Sequence, residues 1–94
     1  MSKGNESDII HYYKLAADNG HGEAQFYYAE CLRKGEFVAQ DLEESARYYK
    51  LSADNGVAKA ALVYARWCEE GTIIAKDMEQ AEKYFEMAHN AMSV

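Results

Sequence analysis

The chain has 94 residues, of which 49% are hydrophobic and 13% aromatic, and it contains no proline. This composition excludes a disordered tail and favours uninterrupted helices in one small domain, so the expected class is all-α. Sixteen acidic residues against ten basic ones give a net charge of −6, which argues against nucleic acid as a partner.

The hydropathy pattern bears on where the chain acts. No apolar run approaches the length of about 20 residues that spans a bilayer, and no apolar signal core follows Lys3. The sequence therefore predicts no membrane insertion and a cytoplasmic location, unless the chain was excised from a larger secreted or membrane protein.

An internal repeat organises the chain. The segment 12–20 recurs almost unchanged at 48–56, which is 36 residues later, and a further step of 36 residues reaches Tyr84 and Phe85. A fixed period of this size, combined with helical patterning, indicates a solenoid of stacked helical units.

The helix starts are predicted from capping residues. Asn5, Asp41 and Asp77 stand 36 residues apart, and each is followed three positions later by an acidic or amide residue. The first side chain can accept a hydrogen bond from an amide of the first turn, and the second can return one to the cap. Three helices should therefore begin at equivalent points.

The helix ends are predicted from glycines at 20, 35, 56 and 71, which can take the left-handed conformation that closes a helix. The expected helices, in an order B-A-B-A-B, cover 7–19, 22–35, 42–55, 58–70 and 78–89. They form one solenoid domain over 5–91, made of a B helix (7–19), a repeat (22–56) and a second repeat (58–91), with flexible ends at 1–4 and 92–94.

Helical spacing predicts the buried faces. In the second helix Ala24, Tyr28 and Cys31 share one stripe, and Phe26 and Ala29 lie nearly opposite, so the helix is packed between neighbours. The inward face of the B helices is expected to be Leu42, Ser45, Tyr49, Ser52 and Ala53, repeated as Met78, Ala81, Phe85, Ala88 and His89. One polar stripe remains on the A helices: Glu23, Tyr27, Glu30 and Lys34, then Lys59, Val63, Arg66 and Glu70.

The aromatic residues are predicted to belong mostly to the core, because they recur with the repeat period. Tyr27 is the exception, since its equivalent is Val63, and together with Arg66 it makes a plausible pair of binding anchors. The tyrosines assigned to the core are Tyr12, Tyr13, Tyr28, Tyr48, Tyr49, Tyr64 and Tyr84.

The reactive residue types do not form a catalytic or metal site in the sequence pattern. Cys31 and Cys68 lie in apolar helical stretches and are expected to be small core residues without a disulfide. The three histidines are not spaced to share a helical face, and nothing pairs a nucleophile with a base. No catalytic residue, metal or cofactor is therefore predicted, and the chain is not expected to be an enzyme.

The repeated block resembles a known family. The run 24–29 (Ala-Gln-Phe-Tyr-Tyr-Ala), followed by Gly35, Val38, Asp41, Ala46, Tyr48, Tyr49, Ser52, Ala53 and Gly56, is similar to the Sel-one-like repeat (SLR), a relative of the tetratricopeptide repeat. The resemblance covers about residues 5–91. Phe37 and Ile73 depart from the pattern at a connector glycine, so a left-handed residue there would be strained.

The resemblance implies a right-handed α-solenoid of antiparallel helix pairs, with five helices in about two and a half repeats. It also implies a non-enzymatic adaptor or scaffold that binds a protein or peptide partner on a concave face lined by the A helices. The polar stripe supplies the candidate partner-binding residues on that face.

A structural role is the alternative. A solenoid usually needs about three repeats, because each unit buries its face only against a neighbour. The chain could then associate with itself through its terminal helices, or stack within a longer SLR solenoid whose catalytic activity lies in a fused domain. The apolar residues expected at the two ends are Ile9, Ile10 and Tyr13, then Phe85, Met87 and Met92.

Overall fold

The computed structural model describes residues 2–92, with side chains from residue 8 onwards. Within this range the chain forms helices alone: α1 (Ser2–Asp18), α2 (Gly22–Lys34), α3 (Leu42–Asp54), α4 (Ala58–Glu70) and α5 (Met78–Met92). Each helix packs mainly on the helices next to it in sequence, and the molecule measures 46 × 31 × 18 Å. The predicted all-α repeat solenoid is confirmed, with α2 and α4 as A helices and α1, α3 and α5 as B helices.

Two of the three predicted helix caps are present. The side chains of Asp41 and Asp77 accept hydrogen bonds of 3.1 Å from the backbone N–H groups of Glu44 and Gln80. The predicted return bond from the Glu44 side chain to the Asp41 N–H is wrong. That N–H donates instead to the Leu32 carbonyl at 2.9 Å. This bond ties the start of each later B helix to the end of the A helix before it.

The first helix begins earlier than predicted. It runs back through Asn5 to Ser2, so the expected start at Asn5 is wrong. A cap residue favours a helix start by only about 1 kcal/mol, and no proline stands upstream to prevent further helix. Of the segments expected to be flexible, Met1 and residues 93–94 lie outside the described part of the chain.

Both A helices end at a glycine that the fold requires. Gly35 and Gly71 have φ values of 73° and 70°, and a Cβ at Gly71 would lie 2.7 Å from the Cβ of Lys76. In the connector that follows, Phe37 also has a positive φ of 65°. This bears out the expectation of strain at that position, since a left-handed conformation costs a side-chain-bearing residue about 1–2 kcal/mol.

Serines on α3 let the helices approach closely. Ser45 and Ser52 are fully buried, and their hydroxyls donate hydrogen bonds of 2.7 Å to the carbonyls of Ala29 and Gly22 on α2. A larger side chain would hold the two backbones apart. The prediction that small residues occupy these positions to admit a neighbouring backbone is confirmed.

The same set of tyrosine contacts recurs in both repeats. Tyr48 packs edge-to-face on Tyr28 with ring centroids 4.9 Å apart, and its hydroxyl donates to Asp18 at 2.7 Å. Tyr84 repeats this arrangement with Tyr64 at 4.9 Å and with Asp54 at 2.7 Å. The 36-residue period of the sequence is thus a period of contacts.

Three predicted core residues lie at the surface instead. Tyr12 is 64% exposed, although its equivalents Tyr48 and Tyr84 are buried, because within the described chain no A helix precedes α1. Met78 and His89 are exposed because α5 packs on α4 and no described helix covers its other side.

The two cysteines are buried and free, as expected. None of the described helices is long and apolar enough to cross a membrane.

Candidate functional site

The structure leaves the predicted polar stripe accessible on the A helices. Glu30 and Val63 are half-buried, and the other six residues are exposed. Six of its members line two separate clefts, whereas Lys34 and Lys59 line neither of them.

The first cleft, named here the α2–α4 cleft, has a volume of about 270 Å³. Its floor includes the Trp67 side chain, which is 8% exposed. Glu30 and Arg33 come from α2, and Val63, Arg66, Trp67 and Glu70 come from α4. Two A helices therefore contribute charges of both signs around one aromatic ring.

The second cleft, named here the α1–α2 cleft, has a volume of about 250 Å³ and contains two further stripe residues of α2, Glu23 and Tyr27. Tyr27 is 42% exposed, and the Lys59 ammonium lies 5.7 Å from its ring centroid. Tyr27 and Arg66 thus line different clefts, so the structure does not place the predicted pair of anchors in one. The remaining lining residues are Tyr12, Tyr13, Ala16, His21 and Ala24.

A row of aromatic rings joins the two clefts. Tyr13 stacks on Tyr27 with centroids 5.7 Å apart, and Tyr27 meets Phe26 at 5.6 Å. Phe26 then contacts Tyr49 at 5.8 Å, and Tyr49 contacts Trp67 edge-on at 5.3 Å. Ring contacts in these ranges hold side chains in fixed orientations. We refer to these five residues as the aromatic row.

The buried Tyr49 hydroxyl fixes the charged wall of the α2–α4 cleft. It donates to the Glu30 carboxylate at 2.6 Å and accepts from Arg33 Nε at 3.0 Å. Arg33 also reaches Glu30 at 2.9 Å, and the Lys34 ammonium lies 3.6 Å from the same carboxylate. Glu30 is therefore surrounded by donors before any ligand arrives.

These contacts shift the pKa values of the cluster. Burial acts to raise the pKa of Glu30, but the hydrogen bonds from Tyr49 and Arg33 and the nearby positive charges outweigh it and lower the pKa. Burial and the hydrogen bond to Glu30 raise the pKa of Tyr49 well above its usual range. Glu30 consequently stays ionised and Tyr49 stays neutral at physiological pH.

The lowered pKa of Glu30 predicts a dependence of stability on acid. Because the folded-state pKa lies below the ordinary value of 4.5, the stabilisation is complete above that pH and is lost as the pH falls through the folded-state pKa. Urea unfolding of the wild type between about pH 5 and pH 3 should therefore show a steeper loss of stability than that of Glu30→Gln. The other carboxylates are common to both proteins. Parallel profiles of stability against pH would therefore contradict the conclusion that folding lowers the pKa of Glu30.

Arg66 and Glu70 complete the cleft from the α4 side. Across residues 8–92 neither side chain takes part in an ion pair, and both are exposed. The α2 wall is thus an internally neutralised pair, whereas the α4 wall keeps a cation and an anion available. Such an arrangement can bind polar groups of either charge beside an aromatic ring.

Sequence reasoning missed two residues of this cleft, Arg33 and Trp67. The signal was present in the helical spacing, because Arg33 follows Glu30 by three positions and Trp67 follows Val63 by four, which places each pair on one face. Trp67 was not placed on the polar stripe, because its repeat equivalent is Cys31 and no aromatic residue recurs at this position.

Comparison with known proteins supports the repeat assignment. A family model described as Sel1 repeat matches residues 10–21, 22–57 and 58–89. A search of curated proteins gave no significant match.

Solved structures show the same fold. A Sel1 repeat protein from Oxalobacter formigenes superposes with a TM-score of 0.86 at 24% identity, over 90% of this chain and 35% of that one. A protective antigen of uropathogenic Escherichia coli strains, displaying an SLR fold, superposes with a TM-score of 0.82 at 23% identity, over 92% of this chain. The chain spans about a third of the first protein and 18% of the second.

Proposed function

This chain belongs to the Sel1 repeat family, and we propose that it is a non-enzymatic interaction module whose A helices bind a segment of a partner protein. Sel1 repeats are generally protein-interaction modules. The polar stripe and the two clefts form the binding face in this proposal, and the partner segment lies across α2 from one cleft to the other.

The aromatic row is the observation that carries the proposal. It connects the clefts, and it offers the half-exposed Tyr27 in one and the edge of Trp67 in the other. Tryptophan, tyrosine and arginine are enriched among the few residues that supply most of the binding energy at protein interfaces. Arg66, which has no ion pair among the described residues, adds a cation that a partner carboxylate can neutralise.

The non-enzymatic part of the proposal is supported by the state of the reactive groups. Glu30 is held by several donors and its pKa is lowered, which is unsuitable for a general acid or base near neutral pH. Burial raises the pKa values of the Cys31 and Cys68 thiols, so neither is an activated nucleophile.

The experiment is a peptide selection followed by a variant series. A peptide-display library is selected on the wild-type chain, and the affinity of the best peptide is measured by calorimetry. The double variant Tyr27→Ala/Arg66→Ala should bind it more than ten-fold more weakly, equivalent to about 1.4 kcal/mol. Because both side chains are exposed, the far-ultraviolet circular dichroism should not change.

Arg47→Ala is the matched control. Arg47 is also an exposed arginine, but it lies on α3, where it pairs with Glu44 at 2.8 Å. Its replacement should leave the affinity within about two-fold, since it lies away from the interface. Unchanged affinity in the Tyr27→Ala/Arg66→Ala protein would refute the assignment of the binding face.

Self-association through the terminal helices is the competing function. Joining two copies end to end would place α5 of one against α1 of the other, that is, a B helix on a B helix. Within the described chain every extensive helix contact joins an A helix to a B helix. We therefore favour binding at the A helices over stacking of copies.

A further inference from the structure

The turns that follow α1 and α3 have the same sequence. Both contain Asp-Asn-Gly, at residues 18–20 and 54–56. In both turns the glycine has a φ of 89°, and its N–H donates to the carbonyl three residues earlier, at 3.1 Å after α1 and at 2.9 Å after α3. Asn19 and Asn55 are both exposed. The two asparagines therefore have matching backbone surroundings, and only their side-chain contacts can distinguish them.

An asparagine followed by glycine can lose its side-chain amide, because a glycine has no Cβ to hinder attack by its backbone nitrogen. That nitrogen forms a bond to the asparagine Cγ, the bond from Cγ to the amide nitrogen breaks, and the N–H proton leaves with the amide nitrogen as ammonia. Water then opens the resulting cyclic imide at either carbonyl, which gives aspartate or isoaspartate. The reaction requires an asparagine side chain that is free to rotate onto the glycine nitrogen.

The Asn55 side chain is held by α2. Its Nδ2 donates to Gln25 Oε1 at 2.9 Å, and Gln25 is itself 3% exposed and bonded to the Ala17 carbonyl at 3.0 Å. The turn also packs closely on Gly22, where a Cβ would lie 3.1 Å from the Cβ of Asn55. Rotation of the Asn55 side chain onto Gly56 must therefore break a hydrogen bond to a buried partner.

The Asn19 side chain is not held in this way. Across residues 8–92 it makes no hydrogen bond. The counterpart of Gln25 would stand on an A helix before α1, and the described chain has no such helix. The side chain of Asn19 can therefore reach the Gly20 nitrogen without first losing a hydrogen bond of its own.

We propose that Asn19 is a modification site of the folded chain, converted to aspartate or isoaspartate by attack of the Gly20 nitrogen, whereas Asn55 is protected by its bond to Gln25. The product carries one more negative charge than the unmodified chain, in the short turn between α1 and α2. The isoaspartate form also adds one carbon to the main chain beside His21, which lines the α1–α2 cleft. The modification does not require the binding function proposed above.

Trypsin allows the two sites to be measured separately. Cleavage after lysine and arginine releases Asn19 in the peptide 15–33 and Asn55 in the peptide 51–59. The folded chain is aged in mildly alkaline buffer and then digested, and fragmentation mass spectrometry measures the fraction of each asparagine that has lost its amide. Asn19 should react about five-fold faster than Asn55, a ratio that one hydrogen bond of ordinary strength supports.

Ageing in concentrated urea separates the effect of the fold from that of the sequence. The contact between Asn55 and Gln25 is lost on unfolding, so the two rates should converge. Equal rates in the folded chain would overturn the proposal. So would a ratio that persists in urea, because it would then arise from the neighbouring residues and not from the tertiary structure.

Two variants test the cause of the difference. Gln25→Ala removes the acceptor of Asn55, and Ala61 occupies the equivalent position of α4, so the repeat accommodates alanine there. In this variant Asn55 should react faster than in the wild type. Asn19→Gln is the control, because the longer side chain closes the ring poorly: it should abolish the reaction at position 19 and leave Asn55 slow. If Asn55 stayed slow in a folded Gln25→Ala chain, the protection by Gln25 would be refuted. If Gln25→Ala does not fold, the comparison of the wild type with and without urea decides.

Discussion

Replacing Tyr48 with alanine should lower the free energy of unfolding by about 3–5 kcal/mol, the usual loss for truncating a buried aromatic residue. Tyr48 is 1% exposed, and its ring and hydroxyl contact Tyr28 and Asp18. Both contacts join α3 to the part of the chain before it. Their removal should therefore weaken the attachment of α3 to α1 and α2 as well as leave a cavity.

Tyr12→Ala is the matched control, because Tyr12 occupies the same repeat position but is 64% exposed. Its replacement should change the free energy of unfolding by no more than about 0.5 kcal/mol. Urea unfolding followed by circular dichroism measures both variants. Equal losses at the two positions would show that the first helix is packed differently from the structure described.

The hydroxyl contribution can be separated from that of the ring. Tyr48→Phe keeps the edge-on contact with Tyr28 and removes only the hydrogen bond to Asp18. It should lower the free energy of unfolding by about 0.5–1.5 kcal/mol. Asp18 retains Lys14 at 3.0 Å, so its carboxylate is not left without a partner.

Trp67→Ala should be the other severe substitution, with an expected loss of about 3–5 kcal/mol. Trp67 is 8% exposed and packs edge-on against Tyr49, which is completely buried. Truncation opens the floor of the α2–α4 cleft and removes a ring that holds Tyr49 in place. The Tyr49 hydroxyl orients Glu30 and Arg33, so the charged wall of the cleft should lose its fixed geometry too.

Trp67→Phe tests whether the ring contact or the indole itself is needed. A phenyl ring can keep an edge-on contact with Tyr49 and fill most of the space, so the loss should be less than half of that for alanine. Both variants lack the single tryptophan of the chain, so urea unfolding is followed by circular dichroism and not by tryptophan fluorescence. If Trp67→Ala lost less than about 1 kcal/mol, the aromatic row would not be a structural unit.

The candidate site was predictable in part. The polar stripe followed from helical periodicity, and its accessibility agrees with the structure. Its division into two clefts did not follow, because that depends on how α1 and α4 are placed in space relative to α2. The Tyr49 hydroxyl between Glu30 and Arg33 was also beyond sequence reasoning, since it joins residues 16 and 19 positions apart that no local spacing relates.

The fold class, the helix order and the caps at Asp41 and Asp77 were determined by the sequence alone, because they depend on local spacing and on a period of 36 residues. The exposure of Tyr12 and the burial of Tyr48 and Tyr84 were decided only by the tertiary structure. The three residues share one sequence pattern, but burial depends on whether an A helix covers the position. α2 and α4 cover the later two, and within the described chain no helix covers the first.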